Sequence, residues 1–498
     1  MTRSIKALIF LSVLALISLI LSGAAALFDL ATRRSIEYNY FSDAFDLTVE
    51  DSSYVNWLPA AGPLDRPLSE WEEDKVGLAL SEAWRGFGAA SATGITTYLP
   101  DSFSGIALER ARKAVEQAQV ERTRMVVVEM TARPIFYHAD GSLLQLELIL
   151  KTARFAFGPD GEPLIYGLRN DTTLTTMLNE PFGWRIYSHE LRQSEEVLPP
   201  DPIVRPFRGR GLNYYPSETP WTAFWPNFDP DIFDKDVARM VSLKADSVRI
   251  FLPEADFCKE TGAENLAKLD LLLEAADGAG LTVVPTLFDL KSGYDAPNWM
   301  ADAVCLELIF GHLARHSNIA FVDLKNEPDL DFDHYGRANV LAWLRTMAAI
   351  AKQSAPEIAL SVGWSTPSVA ANLAEVVDVI SYHDYKDIGG IGARLGAVKA
   401  TTGGRPVVVT EIGASSWGVA LGFPGSPEKQ AELLGQRLKG LADADGLYVW
   451  TLHDFSNVDP AAVGRRPWIV AKQAAFGLYD VNGDEKPAAG VFREAAAE

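Results

Sequence analysis

From residue 207 onward, short apolar runs alternate with stretches whose apolar positions recur every three or four residues. The runs at 209–214, 247–251, 282–287, 319–324, 358–362, 379–381, 406–410 and 446–451 predict strands, most of them buried on both faces. Helical spacing fills 232–243, 264–279, 299–316, 337–354, 369–374, 391–400 and 427–442, and a last helix is predicted at 488–496. Eight strands, each followed by a helix, predict a (β/α)8 TIM barrel over 207–498. The alternative is an open doubly wound sheet, but no Gly-rich phosphate turn follows the first strand.

The preceding region, 40–196, has a different rhythm. Helical patterns at 68–90 (Trp71, Val76, Leu78, Ala83 and Phe87) and 105–120 come first. Strand patterns follow at 124–137, 143–157, 164–174 and 184–191, separated by turn signals such as Asp140-Gly141. Helices first and a sheet afterwards predict a small α+β domain. This order, with the stretch FYHADGSLLQLELILKTARF, resembles the nuclear transport factor 2-like (SnoaL-like) fold. The resemblance implies a conical pocket that serves catalysis in some members and binding in others; a non-catalytic binding or spacer role is expected here. His138 and Asp140 flank a hairpin turn and are read as turn residues. The stretch 197–206, rich in proline, is read as a stiff linker.

Residues 1–34 stand apart. Arg3 and Lys6 precede an uncharged run over 7–28, which matches the ~20 residues that span a bilayer. Ala24-Ala25-Ala26 offers a small-residue cleavage site, so the segment reads as a signal peptide or a membrane anchor. Either places the rest of the chain outside the cytoplasm. The net charge of -21 repels phosphate backbones and excludes nucleic acid as an expected partner. Two cysteines without a CxxC, Cys258 and Cys305, suggest no structural zinc site; in an exported protein they have the option of one disulfide.

The barrel pattern gives the strand ends their meaning, because barrel chemistry sits at the C-terminal tips. One predicted strand breaks into Lys325-Asn326-Glu327-Pro328, where Pro328 disfavours helix at Glu327 and lacks a backbone donor. Another runs through Thr410 into Glu411. Each glutamate alone has a plain reading as a salt-bridged strand end. Both on one rim suit glycoside hydrolysis, which needs one protonated and one ionised carboxyl across the scissile bond. Arg249 can hold a carboxylate ionised by a bidentate contact. His383 and Tyr385 point the same way by strand alternation. Trp450 offers a flat apolar face for a sugar ring. Taken singly, Arg249 reads as a structural ion pair and Trp450 as core packing; together at barrel tips they read as a site.

This set, Arg249, Asn326-Glu327-Pro328, His383-Asp384-Tyr385, Glu411 and Trp450, resembles glycoside hydrolase family 5 of clan A over roughly 207–492. The resemblance implies a retaining β-glycosidase acting on an oligo- or polysaccharide such as a glucan or mannan, with no metal or cofactor. It implies that Glu327 is the acid/base, Glu411 the nucleophile and Asn326 a partner of the sugar 2-hydroxyl. Arg249 and Tyr385 would keep Glu411 ionised, His383 would complete the network, and Trp450 would stack under the sugar. One departure is Asp289, where the family usually has a histidine; a sugar contact is expected of it. Cleft walls are expected from Tyr214, Tyr215, Trp221, Trp225, Trp299 and Trp417, and above all from Trp364. The rival reading is a non-catalytic glycan-binding or envelope-assembly protein; a transglycosylase would share the site.

Overall fold

The computed structural model describes residues 53–158, 163–198, 200, 203, 207–259, 261–418 and 425–495. The leader and most of the proline-rich linker lie outside the described residues. Among the described residues, no helix is long and apolar enough to cross a membrane.

The first half begins with a short strand, β1 (Val55–Trp57), absent from the sequence reading. It is followed by α1 (Glu70–Thr93), α2 (Gly105–Glu121) and four long strands. These are β2 (Thr123–Tyr137), β3 (Leu143–Phe157), β4 (Pro163–Glu180) and β5 (Gly183–Val197). β1 runs parallel to β2; the rest of the sheet is antiparallel. α1 starts where Ser69 and Glu72 form a capping box, and it ends at Gly94 in a left-handed conformation, φ 77°. Alternation along β3 turns Leu144, Leu146, Leu148 and Leu150 inward, in one core with Val76, Leu80, Trp84 and Phe87 of α1. Each such side chain contributes about 1.5–3 kcal/mol on burial.

The second half is a closed barrel of eight parallel strands, as expected. They are β6 (Gly209–Asn213), β7 (Ser247–Pro253), β8 (Thr282–Asp289), β9 (Val322–Asn326), β10 (Leu360–Trp364), β11 (Ile380–His383), β12 (Val407–Ile412) and β13 (Gly446–Val449). The helices between them are α3 (Pro230–Ser242), α4 (Gly262–Gly278), α5 (Trp299–Leu313), α6 (Arg337–Ser354), α7 (Ile391–Thr401) and α8 (Pro427–Gly440). The helix expected at 369–374 is a run of turns instead, broken by Leu373 at φ 61°. After β13 the chain makes two short helices, α9 (Pro460–Val463) and α10 (Pro467–Gln473), before the closing α11 (Pro487–Ala495).

Inside the barrel, Gly211 on β6 leaves room for Tyr448; a Cβ there would stand 2.2 Å from the ring. Tyr448 and Ser247 share a hydroxyl hydrogen bond of 2.7 Å. The halves are not independently packed. Val126, Val128, Ala153, Phe155 and Leu168 of the first sheet belong to the barrel's hydrophobic core. Phe155 meets Trp299 of α5 edge-on at 5.8 Å, and Arg124 donates to Asn339 Oδ1 of α6 at 2.7 Å.

Cys258 and Cys305 form a disulfide that ties the end of β7's connection to α5, 47 positions apart. A loop of that length restrains the unfolded chain by about 4 kcal/mol in the chain-entropy account. The double variant Cys258→Ser/Cys305→Ser is expected to fold and to lose about 2–4 kcal/mol, measured as a lower denaturant midpoint at unchanged slope. An unchanged midpoint would refute the bridge's stabilising role.

Candidate active site

The site is built at the C-terminal rim of the barrel, on a polar layer that begins below it. Arg249 on β7 is fully buried and its guanidinium is used in every direction. Nε donates to Asp323 Oδ2 at 2.9 Å, and Nη1 donates to Asn213 Oδ1 at 3.0 Å and Glu411 Oε1 at 2.8 Å. Nη2 donates to Asn326 Oδ1 at 2.9 Å. Burial opposes its charge, but Asp323 and Glu411 more than compensate and strengthen its hold on the proton. Gly363 on β10 makes the space: a Cβ there would lie 3.0 Å from Nη2.

Glu411 sits within β12, beside a break in its register with β13. Besides Arg249, it accepts from Tyr385 OH at 3.0 Å. Glu327 follows β9 in a left-handed conformation, φ 45°. Its backbone N–H donates to Gly363 O at 2.7 Å, and Pro328 starts a 3-10 turn immediately after. A non-glycine residue costs about 1–3 kcal/mol in that region and persists where surroundings over-determine it. His383, at the tip of β11, faces both carboxylates: Nδ1 is 2.7 Å from Glu327 Oε1 and 3.6 Å from Glu411 Oε2. Two carboxylate neighbours require Nδ1 to carry hydrogen. One oxygen from each glutamate and a His383 ring nitrogen all lie within 4.8 Å of one another. The side chain of Glu327 is 28% exposed and that of Glu411 9%, so Glu327 is the one open to the cavity.

The titrations follow from this arrangement. Burial pushes Glu411 upward, and the charges of His383 and Arg249 only partly reverse it. Burial also pushes Glu327 upward, but the His383 hydrogen bond and charge, then Arg249 and Lys325, bring it below the usual range. Burial lowers His383, yet Glu411 and Glu327 outweigh it and raise it. Burial and the Glu411 charge raise Tyr385 far up, so it stays a donor. A proton entering this triad therefore rests first on His383, whose Nδ1 faces both carboxylates. Glu327, His383 and Glu411 are also the one metal-compatible cluster among the described residues. Their oxygens already accept from Arg249, Tyr385 and His383, and Arg249 adds a fixed positive charge, so the donor set does not fit a cation.

A cavity of about 440 Å³ opens above these groups. Trp450, Trp221, Tyr215 and Phe251 line one side, and Asp289 and Leu290 another. Asp289 accepts from Tyr215 OH at 3.3 Å; burial raises its carboxyl, against the pull of Lys325 and Arg249. Its neighbours Phe288 and Leu290 both adopt left-handed backbone, φ 46° and 56°. A hollow of about 530 Å³ on the first domain, between Trp57 and Pro134, carries a single titratable side chain, Glu73, and no comparable chemistry.

The structure thus brings together Glu327, Glu411, Asn326, Arg249, His383, Tyr385, Trp450 and Asp289. Trp364 is different: it ends β10 but is buried against Phe332, ring centroids 6.3 Å apart, and does not line the cavity. Tyr214, Trp225 and Trp299 are core residues as well, and Trp417 lies off the cavity. The sequence reading missed Asp323 and Asn213, although a lone acid inside the apolar run Val322-Asp323-Leu324 is a legible sign of a buried partner. It also missed the wall formed after β13 by Val463, Ile469, Lys472, Gln473 and Phe476, which has no motif of its own.

No family model matches the sequence, and no curated protein does. Solved structures with a similar backbone include GH5_18 from Streptomyces cattleya in complex with GlcNAc (TM-score 0.49, 22% identity, 59% of this chain and 80% of that one). The exo-β-1,4-mannosidase Op5Man5 from Opitutaceae bacterium strain TAV5 has a TM-score of 0.49 and 23% identity, over 58% of this chain and 59% of that one. A GH2 β-galacturonidase from Eisenbergiella tayi bound to galacturonate reaches 0.47 at 14% identity, over 75% and 72%. At this level of similarity the residues of this chain must carry the functional reading themselves.

His383 is expected to titrate above the ordinary histidine value of about 6.5, and to fall in Glu327→Gln, as followed by NMR of the ring. A raised folded value makes its contribution to stability complete below about 6.5 and lost as pH rises through the folded pKa. A ring already neutral at pH 6 would contradict this.

Proposed function

We propose that this chain is a retaining glycosidase of the glycoside hydrolase family 5 type, acting on a β-linked glucan or mannan. The observation that carries the reading is the approach of the Glu327 and Glu411 carboxylates to within 4.8 Å across one cavity. Double displacement works with carboxyl groups about 5–5.5 Å apart, whereas inversion needs about 6.5–9.5 Å to admit a water.

In the first step a Glu411 oxygen attacks the anomeric carbon, the glycosidic C–O bond breaks, and Glu327 gives its proton to the departing oxygen. The hydrogen bond of 2.7 Å to His383 supplies that proton to Glu327 as charge develops on the leaving group. In the second step Glu327 takes a proton from water, the water oxygen bonds the anomeric carbon, and Glu411 is released. Arg249 and Tyr385 fix the attacking carboxylate. Asn326 gives its oxygen to Arg249, which leaves its amide hydrogens for the sugar 2-hydroxyl. Trp450 and Asp289 hold the sugar by stacking and by hydroxyl contacts.

The cavity lining supports action at a chain end. Among the described residues, those after β6, β8 and β13 make most of its walls, and β9, β11, β12 and the turns after them add Asn326, Glu327, Tyr385 and Glu411. The leaving group exits past Glu327, the more exposed of the two glutamates, and the aromatic side holds the sugar that is attacked. The disulfide supports an exported protein, by leader or anchor.

Product analysis on β-glucan and β-mannan oligosaccharides is expected to give single terminal sugars, the first-formed anomer retaining its configuration by NMR. Inverted product would end the double-displacement reading. Glu411→Ala is expected to abolish cleavage, and Glu327→Gln to lower it by about 10²–10⁴-fold. Wild-type rates in both would overturn the assignment of these two glutamates, and no cleavage by the wild type itself would favour the non-catalytic rival; sugar-to-sugar products with added acceptor would identify transglycosylation.

A further inference from the structure

The segment between β8 and α5 has two ends with different neighbours. At its start, Asp289 and Leu290 form a wall of the cavity. This start is strained, with Phe288 and Leu290 both left-handed. Such backbone persists when the surroundings fix it. From the barrel side the fixing is clear: Lys291, fully buried, donates to Glu254 Oε1 and Asp302 Oδ1, both at 2.9 Å. Trp343 Nε1 donates to Asp302 Oδ2 at 2.8 Å.

The far end is held by the first domain. Arg85, buried on α1, donates Nε–H to Pro297 O at 3.0 Å, an interaction 212 positions apart in sequence. One turn on, Gly88 lets α1 approach until a Cβ would stand 3.6 Å from Ala296 Cβ. Trp299 packs on Phe155 and donates Nε1–H to Tyr294 O at 2.9 Å. Tyr294 OH in turn donates to Asp331 Oδ2, in the turn that follows Glu327. A set of contacts thus runs from α1, along 294–299, to the Glu327 turn, and through the Lys291 ammonium, 6.0 Å from the Tyr294 ring, towards the Asp289 wall.

We infer that Arg85 is a positioning residue for the cavity, and that the first domain sets the 289–299 segment, and through it the Asp289 wall, rather than serving as a spacer. The inference rests on the glycosidase reading for its kinetic readout only. Arg85 touches no substrate. It fixes the carbonyl of Pro297, at the far end of the segment whose start lines the cavity, so its loss should loosen sugar binding more than bond cleavage.

Arg85→Met keeps the apolar stem and removes the donor; Arg85→Lys keeps a donor. Leu168→Ala is the control, because Leu168 lines, with Ala348 and Ala349 of α6, a hollow at the same interface, away from 289–299. Arg85→Met is expected to speed backbone hydrogen exchange in 288–299 with little change in the other strand tips. It is expected to raise KM about two- to tenfold with kcat within about twofold, as befits one lost hydrogen bond. Arg85→Lys should restore part of both, and Leu168→Ala should lower Tm while leaving KM unchanged. Unchanged exchange in 288–299, or an equal KM rise in Leu168→Ala, would overturn the inference. If the wild type cleaves no glycoside, the functional reading fails by itself, and hydrogen exchange still decides the role of Arg85.

Discussion

A guanidinium with no access to water is the constraint on which this barrel rim depends. A buried charge is tolerated only with good geometry and a full set of acceptors. Arg249 obtains these from Asn213 on β6, Asp323 and Asn326 on β9, and Glu411 on β12, three different strands. Each acceptor is thereby fixed in turn. Asn326 presents its amide face outward, Glu411 cannot rotate away, and Asp323 is anchored further by Ser381 at 2.9 Å. Gly363 is part of the same solution, since any side chain there would press on Nη2. The precision of the upper site thus comes from the electrostatics of the layer beneath it.

Above that layer, two chemically identical side chains are made different by environment. Glu411 lies inside with Arg249 and Tyr385, and Glu327 stands at the edge with a left-handed backbone and one imidazole. His383 touches both, and this couples their protonation instead of leaving each to titrate alone. The aromatic side of the cavity, Tyr215, Trp221 and Trp450, shields this polar group from bulk water and strengthens every interaction within it.

Much of this is legible in the sequence itself. The barrel was readable because buried parallel strands are continuous apolar runs, and a polar residue at the end of such a run has few roles open to it. Glu327, Glu411, His383 and Tyr385 sit at or just past such ends, and Arg249 is a lone charge inside the apolar run of β7. The exceptions have physical causes. Trp364 also occupies a strand end, but its size and apolarity let Phe332 bury it, and sequence position alone does not separate a wall from a core. The helix expected at 369–374 had apolar spacing, yet its connection folds as turns. The wall after β13 escaped because short helices packed over a cavity carry no period of their own. Asp289 was visible as a departure; that its two neighbours both take left-handed backbone was not.

The shared core between the halves has a consequence for the meaning of a domain here. The proline-rich stretch is a boundary in the covalent chain. In thermodynamic terms, Phe155, Val126 and Leu168 continue the barrel's interior, and Met300 of α5 belongs to the core of the first domain. A barrel made without the first domain would expose Trp299 and Met300 where Phe155 and the first core now cover them, so it would be a sticky fragment and not a smaller enzyme. The unit on which selection for solubility acts is the pair.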